Sequence, residues 1–242
     1  MYIFGLIGHP LTHSFSKQYF ENKFKKDGLV DVFFELFDIE NIGVLSNIIA
    51  NNLVKGFAVT IPYKQQIIPY LYSFDELVKQ TNACNCVKVI NEKLIGFNTD
   101  IIGFEQSLLQ GLKPFHTKAL VLGNGGAAAA IKYVLNKLNI EFKTVSRQKN
   151  TADFIYEDLH ESIIKSHTLI INTTPLGTYP NIEDCPNIPY QHLTKQHYLF
   201  DLVYNPSLST FMNKGLQQNA FVKNGYEMLV IQAEENWKIW NG

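Results

Sequence analysis

The chain has 242 residues, of which 46% are hydrophobic and 18% charged, a composition typical of globular proteins that excludes intrinsic disorder. Its 21 basic and 22 acidic residues leave a net charge of -1, which disfavours nucleic acid and membrane surfaces as main partners because polyanions attract basic proteins. Three cysteines do not form a disulfide framework in a chain of this length, so we expect free thiols and a reducing compartment.

The apolar residues 1–8 lack the basic region and the small-residue cleavage site of a signal peptide, and they are better interpreted as a buried strand. No apolar run approaches the ~18 residues that a membrane-spanning helix requires. We therefore expect a cytoplasmic protein. The sequence is compatible with a monomer and with a homodimer.

The first half of the chain alternates strand and helix patterns. Phe15, Tyr19, Phe20 and Phe24 recur at the spacing of one helix face. Strands are predicted at residues 1–7, 31–37 and 54–60, and a further helix-like segment is predicted at residues 41–51. This alternation is typical of a parallel sheet with helical crossovers. Two later strands, 84–90 and 94–97, are predicted to pair although residues 91–93 are not a strong hairpin turn.

The pattern then starts again. A short apolar strand at 119–122 continues into a glycine- and alanine-rich turn and a helix that ends near Leu138. Further strands are predicted at 141–145, 168–171 and 198–202, and an amphipathic helix over 226–240 closes the chain. The sequence therefore predicts an α/β protein with two sheet systems.

The turn Gly123-x-Gly125-x-x-Ala128 lies between a predicted strand and a predicted helix, where a dinucleotide-binding fingerprint has to lie. The first glycine permits a tight turn, the second permits close approach of a pyrophosphate, and the alanine permits close packing of the helix on the sheet. The helix N-terminus offers N–H groups to phosphates. The alternative interpretation is a small-residue helix start selected for packing alone.

The next predicted strand ends in Ser146, Arg147, Gln148 and Lys149. An NAD site usually has an acid at this position, whereas NADP requires a basic residue for the 2′-phosphate. Arg147 offers a planar donor fork, Ser146 a hydroxyl and Lys149 a charge. The residues therefore favour NADP(H), and the alternative is a solvated basic turn.

Polar side chains follow the first and third predicted strands, where open α/β sheets bind ligands. Ser14 and Ser16 come before or at a helix start, so they either face a ligand or cap the helix. His9 and His13 do not indicate a metal site, because Pro10 interrupts a regular helix between them and no further ligand is near.

Other polar residues lie at the ends of later elements. Lys64 follows the third strand, and it is either solvated or catalytic. Asn85 and Asp100 lie near ends of other elements, with turn formation and helix capping as the alternatives. Cys84 and Cys86 are interpreted as packed thiols.

Taken together, the motifs resemble those of the shikimate dehydrogenase family over nearly the whole chain. The matching segments of the first half begin at Gly8, Val59, Ala83 and Gly96, and those of the second half begin at Gly123, Asn172, Asp201 and Met228. The segment Ser146-Arg147-Gln148 departs from the Asn-Arg-Thr that is common in the family, but it keeps the arginine.

The resemblance implies NADP-dependent interconversion of 3-dehydroshikimate and shikimate, a step of chorismate and aromatic amino acid biosynthesis. It implies a substrate-binding domain at residues 1–100 plus 226–242 and a Rossmann-type NADP-binding domain at 101–225, with the C-terminal helix returning to the first domain. The implied substrate-binding residues are Ser14, Ser16, Thr60, Lys64, Asn85, Asp100, Tyr204 and Gln232. The implied cofactor-binding residues are Gly123, Asn124, Gly125, Gly126, Ala127, Ser146, Arg147, Lys149, Thr173, Leu202 and Gly225.

Lys64 and Asp100 resemble the catalytic pair of the family. Hydride transfer belongs to a nicotinamide, so the protein has to move one proton at the substrate oxygen. A lysine carries a proton at neutral pH and suits proton donation, while an aspartate beside it holds the ammonium or accepts the proton in reverse. Which residue carries the proton directly stays open. The alternatives are a dehydrogenase of quinate or another cyclic polyol and, in a different class, a non-catalytic NADP-binding sensor.

Overall fold

The computed structural model describes residues 1–11 and 14–242. Contacts within the chain divide these residues into two compact units. The first unit comprises Met1–Thr99 with Ala233–Gly242, and the second comprises Asp100–Gln232.

The first unit contains the strands and helices that the alternating pattern predicted, with additions. Its strands are β1 Tyr2–Gly8, β2 Val32–Asp38, β3 Val54–Val59, β4 Ser73–Phe74, β5 Cys86–Ile90 and β6 Lys93–Phe97. Its helices are α1 Phe15–Lys26, α2 Leu45–Ile49, α3 Tyr63–Gln66 and α4 Glu76–Thr81. The sequence analysis missed β4, α3 and α4, because each is too short to show a period.

The six strands of the first unit pair in the order β2-β1-β3-β5-β6-β4. Strand β1 is parallel to β2 and β3, as the helical crossovers predicted. Strand β5 runs antiparallel to both β3 and β6. The turn between β5 and β6 is tight, with Asn91 and Glu92 both at positive φ, 49° and 63°. Such a turn requires two left-handed residues, which the Asn-Glu pair adopts although it is not a typical hairpin sequence.

An aromatic cluster joins α1 to the sheet of the first unit. Phe20 and Phe24 on α1 are buried, and the ring of Phe20 stacks on Phe34 of β2 with centroids 4.6 Å apart. Trp240 closes the cluster, and its indole N–H donates to the Val87 carbonyl oxygen over 3.0 Å. The aromatic face predicted from the sequence is therefore confirmed as the buried side of α1.

The second unit is a sheet of parallel strands flanked by helices. Its strands are β7 Lys118–Leu122, β8 Glu141–Ser146, β9 Phe154–Ile155, β10 Leu169–Asn172, β11 Tyr198–Asp201 and β12 Phe221–Lys223. Its helices are α5 Asp100–Leu109, α6 Gly126–Lys137, α7 Glu161–Ser166 and α8 Thr210–Gln217. A last helix, α9 Tyr226–Asn241, begins in the second unit and ends in the first.

The strand order β12-β11-β10-β7-β8-β9 and the parallel pairing of each neighbour define a doubly wound sheet. Counted from β7, this order is that of the Rossmann fold. The order reverses between β7 and β10, which is where such sheets bind ligands. The predicted α/β fold class, with a mainly parallel first sheet and a Rossmann-type second sheet, is confirmed.

Cys84, Cys86 and Cys185 are free thiols, as the sequence predicted. Among the described residues, no helix is both long and apolar enough to span a bilayer.

Candidate active site

In the first unit, polar residues gather at the carboxyl ends of β1 and β3. These strands are adjacent and parallel, with Ile7 opposite Val59, so both end at the same edge of the sheet. The Thr60 amide donates to the Ile7 carbonyl oxygen over 2.9 Å. A Cβ added to Gly8 would overlap the Thr60 side chain, so the close approach of the two strand ends depends on this glycine.

Ser14 occupies the N-cap position of α1, but its side chain makes no capping hydrogen bond. Its buried hydroxyl has no hydrogen-bond partner among the described residues. A buried hydroxyl without a partner is unfavourable by about 1–3 kcal/mol, which makes it a candidate to bind a polar ligand. The capping interpretation of Ser14 is therefore wrong. Ser16 lies half-buried in the first turn of α1.

His9 pairs with an acidic side chain at the end of β2. Its Nδ1 is 2.7 Å from a carboxylate oxygen of Asp38, whose other oxygen accepts the Leu11 amide over 3.1 Å. These two hydrogen bonds lower the pKa of Asp38 and fix the start of the loop that leads to Ser14. His13 lies outside the described residues. Within the part of the chain that is described, no cluster of three histidine, cysteine or acidic residues could hold a metal.

Lys64 lies half-buried on α3, directly after β3 and Pro62. The start of this short helix is fixed by two contacts, because the Lys64 carbonyl oxygen accepts the Cys84 amide over 2.8 Å and the Tyr63 hydroxyl donates to the Ile39 carbonyl oxygen. Burial raises the pKa of the Cys84 thiol to about 12, so this neighbour of Lys64 stays neutral. Cys84 is thus a packed thiol, as predicted.

Asn85 is buried in a network of side-chain hydrogen bonds. Its Oδ1 accepts the Thr99 amide over 2.7 Å, and its Nδ2 donates to the Thr99 hydroxyl over 3.0 Å. That hydroxyl donates in turn to Oδ1 of Asn236 over 2.6 Å. Asn236 lies on α9 and is fully buried, so the end of α9 supports the residue next to Asp100 in the chain. The sequence analysis did not identify Thr99 or Asn236.

In the second unit, Asp100 is the first residue of α5 and is nearly buried. A carboxylate is stabilised there by the positive end of the helix dipole. Gln232 lies on α9, where its side-chain amide donates to the Leu229 carbonyl oxygen over 3.0 Å. The helices α5 and α9 pack closely at Gly103, where an added Cβ would lie 2.7 Å from the Met228 carbonyl oxygen.

The glycine-rich turn has the geometry of a phosphate-binding turn. Gly123 follows β7 with φ +106°, a left-handed conformation that favours glycine, and its added Cβ would lie 2.7 Å from Thr173 Oγ1. A Cβ added to Gly125 would meet no heavy atom within 4 Å, so the backbone there is open to a ligand. Gly126 and Ala127 begin α6, and Ala128 is fully buried against the sheet, as predicted.

Strand β8 ends at Ser146, and Arg147 and Lys149 follow it as exposed residues. The Ser146 hydroxyl lies 2.7 Å from the Gln148 carbonyl oxygen and 2.9 Å from Thr151 Oγ1. Ser146 therefore shapes the turn that carries Arg147.

Thr173, Leu202, Tyr204 and Gly225 lie in the segments after β10, β11 and β12. Thr173 donates its hydroxyl to the Leu122 carbonyl oxygen over 2.8 Å, which joins the end of β10 to the end of β7. A Cβ added to Gly225 would overlap the Leu202 carbonyl oxygen. These segments lie at the same edge of the sheet as the glycine-rich turn. Tyr204 is half-buried.

Two buried residues that the sequence analysis did not select hold these segments in place. Asn172 and Asp201 are opposite each other at the ends of β10 and β11, and Asn172 Nδ2 donates to Asp201 Oδ1 over 2.9 Å. Asp201 also accepts the Val203 amide over 3.0 Å and the Ser209 hydroxyl. Burial raises the pKa of Asp201 to about 6, although these hydrogen bonds oppose the shift.

Comparison with known proteins agrees with the resemblance in the motifs. A model of the shikimate dehydrogenase substrate-binding domain matches residues 6–87. The shikimate dehydrogenase (NADP(+)) of Methanococcus maripaludis is 35% identical, over 99% of this chain and 91% of the relative. The crystal structure of the Aquifex aeolicus shikimate dehydrogenase is 31% identical with a TM-score of 0.87, over 100% of this chain and 93% of that one.

A third protein is known with its ligands. The Thermus thermophilus shikimate 5-dehydrogenase, solved in complex with NADP(H) and shikimate, is 25% identical with a TM-score of 0.88, over 100% of this chain and 94% of that one. The similarity to the Methanococcus and Aquifex proteins extends over nearly the full length of both partners in each comparison. The chain therefore belongs to the shikimate dehydrogenase family.

Proposed function

We propose that the protein catalyses the reversible, NADP-dependent reduction of 3-dehydroshikimate to shikimate. It is an oxidoreductase of aromatic amino acid biosynthesis. The proposal is carried by one feature in each unit: a glycine turn whose backbone at Gly125 is open, and a buried Ser14 hydroxyl that has no hydrogen-bond partner among the described residues.

The second unit fits NADP(H). The turn at Gly123 and Gly125 suits the pyrophosphate, and Arg147 follows β8 where an acid would favour NAD. We assign the following residues to the cofactor: Gly123, Asn124, Gly125, Gly126, Ala127, Ser146, Arg147, Lys149, Thr173, Leu202 and Gly225. Ser146 has a positioning role in this set, because its hydroxyl makes hydrogen bonds within the turn.

The polar residues that we assign to the substrate fit a molecule with several hydroxyls and a carboxylate. We assign Ser14, Ser16, Thr60, Lys64, Asn85, Asp100, Tyr204 and Gln232 to the substrate. Residues 1–100 with 226–242 are proposed as the substrate-binding domain and 101–225 as the NADP-binding domain. Cytoplasmic location and a monomeric or homodimeric state stay predictions.

The chemistry asked of the side chains is limited. The nicotinamide supplies or accepts the hydride, so the protein has to handle one proton and fix the substrate. We propose that Lys64 donates a proton to the substrate oxygen during carbonyl reduction, and that Asp100 completes the catalytic pair. Hydroxyl and amide groups on Ser14 and Asn85 orient the ring by hydrogen bonds.

The test is an absorbance assay that follows NADP+ reduction, with shikimate and quinate compared side by side. We expect turnover of shikimate, a lower kcat/KM with quinate and a lower kcat/KM with NAD+. Preference for quinate would favour the cyclic polyol alternative, and equal kcat/KM with the two cofactors would defeat the role given to Arg147. NADPH binding without turnover of any cyclic hydroxy acid would indicate a sensor.

A further inference from the structure

Lys132 lies on α6, half-buried, in the second turn after the glycine-rich segment. Its ammonium donates a hydrogen bond to Oδ1 of Asn124. Asn124 lies between Gly123 and Gly125, so its side chain belongs to the glycine-rich turn. A lysine of the helix is thereby fixed to that turn.

The hydrogen bonds continue from Asn124 to the end of β8. Its Nδ2 donates to the Thr151 carbonyl oxygen over 2.6 Å, and Thr151 Oγ1 lies 2.9 Å from the Ser146 hydroxyl. Ser146 is the neighbour of Arg147 in the chain. Hydrogen bonds through Asn124, Thr151 and Ser146 therefore connect Lys132 to the turn after β8, where the sequence analysis places the 2′-phosphate.

The electrostatics of Lys132 suit an anionic ligand. Burial lowers its pKa, and the charge of Asp153 opposes this shift. Asp153 is already engaged by the Thr144 amide over 2.8 Å and by Lys143 over 3.3 Å. The acceptor for the Lys132 ammonium is an uncharged amide oxygen, and a phosphate oxygen carries the negative charge that this amide lacks.

We propose that Lys132 is a further basic residue for the 2′-phosphate of NADP(H), acting with Arg147 and Lys149 to select this cofactor over NAD(H). The inference rests on the proposed function, because it concerns the same cofactor site. NADP differs from NAD by this phosphate alone, so a cation that contacts the 2′-phosphate affects one cofactor and not the other. Asn124 holds the ammonium at the glycine-rich turn.

The test uses equilibrium binding rather than turnover. Isothermal titration calorimetry measures the Kd of 2′,5′-ADP, which carries the 2′-phosphate, and of 5′-AMP, which lacks it. Lys132→Met removes the charge and keeps most of the side chain's length, and Lys132→Arg restores the charge. Lys137→Met is the matched control, because Lys137 is an exposed lysine of the same helix and pairs with Glu105 over 2.7 Å.

We expect Lys132→Met to weaken 2′,5′-ADP binding by about 10-fold, the loss of one charge-assisted contact, with the Kd of 5′-AMP unchanged. Lys132→Arg should regain most of the affinity, and Lys137→Met should match the wild type. An unchanged Kd of 2′,5′-ADP in Lys132→Met, or an equal loss for both nucleotides, would overturn the inference. If the wild type itself shows no preference for 2′,5′-ADP, the NADP assignment fails as well.

Discussion

Replacing Asp201 with asparagine should remove a pH-dependent loss of stability from the second unit. The carboxyl group of Asp201 is fully buried, and burial raises its pKa from 3.8 to about 6. Between these two pH values the folded protein holds a proton that the unfolded chain has released. Stability therefore falls as the pH rises through this window, and above it the folded state bears the whole penalty of a buried charge.

The size of the penalty follows from the two pKa values. At about 1.4 kcal/mol per pH unit, a pKa that moves from 3.8 to about 6 corresponds to about 3 kcal/mol. Asparagine has nearly the same shape and no charge to bury. Any hydrogen bond that the substitution weakens changes stability by a similar amount at each pH, so the pH-dependent part can be separated from it.

The measurement is the free energy of unfolding in urea at a series of pH values between about 2 and 8, followed by far-UV circular dichroism. Trp237 and Trp240 both lie in the first unit, so their fluorescence does not report on Asp201. Amide hydrogen exchange in β10 and β11 gives the local value. We expect the stability of Asp201→Asn relative to the wild type to rise by about 3 kcal/mol over the whole titration, from about pH 2 to about pH 8.

Asp153→Asn is the matched control, because it should show the opposite sign. Burial opposes ionisation of Asp153, but the hydrogen bonds from Thr144 and Lys143 outweigh it and lower the pKa. Its contribution to stability is present above an aspartate's ordinary pKa and is lost as the pH falls through the lowered value. A stability difference for Asp201→Asn that does not change with pH, or that changes in the same direction as for Asp153→Asn, would refute the reasoning.

Three further substitutions test separate features. Lys64→Ala should lose most of kcat while the Kd of NADPH, measured by fluorescence titration, barely changes; full activity would remove Lys64 from the mechanism. Tyr198→Phe should raise the free energy of unfolding by about 1 kcal/mol, because the Tyr198 hydroxyl is buried without a hydrogen-bond partner in the described part of the chain; destabilisation in urea would contradict this. Gly56→Ala should destabilise the protein by about 1–3 kcal/mol and shift tryptophan fluorescence, because its Cβ would overlap the Trp240 indole; unchanged emission would contradict that overlap.

The glycine-rich turn between β7 and α6 could be predicted because its determinants are adjacent in sequence. An apolar strand, a glycine at positive φ and a helix that begins with small residues follow one another within a dozen positions of Gly123. Each of these signals acts locally, so tertiary contacts did not have to be known. The same holds for Arg147, whose position at the end of β8 follows from the length of the strand.

The antiparallel strand β5 was harder to place. Its direction depends on the turn at Asn91 and Glu92, and glutamate rarely adopts a positive φ. The pairing of β5 with β3 is set by long-range contacts between apolar side chains, including Val87 and Phe57, which lie opposite each other. A sequence pattern shows that both strands are apolar, but it does not show which strand each one meets.

Buried polar networks were missed for a related reason. Asn172 and Asp201 are 29 residues apart, and no spacing rule connects them. They meet because β10 and β11 are adjacent and end in register, so that Asn172 lies opposite Asp201. Once the strand order of a parallel sheet is known, polar residues that end neighbouring strands become predictable partners, and sequence alone does not supply that order.

Ser14 shows how a structure resolves an ambiguity that the sequence leaves balanced. A serine before a helix is usually explained by capping, in which its oxygen accepts an N–H of the first turn. The N-cap residue of α1 has the extended backbone that capping needs, with φ -85° and ψ 115°, yet its hydroxyl makes no such bond. A capping serine would be satisfied by the fold, whereas no described residue provides a hydrogen bond to this hydroxyl. The unsatisfied group therefore supports the proposal that Ser14 binds a polar ligand, and it does not support a capping role.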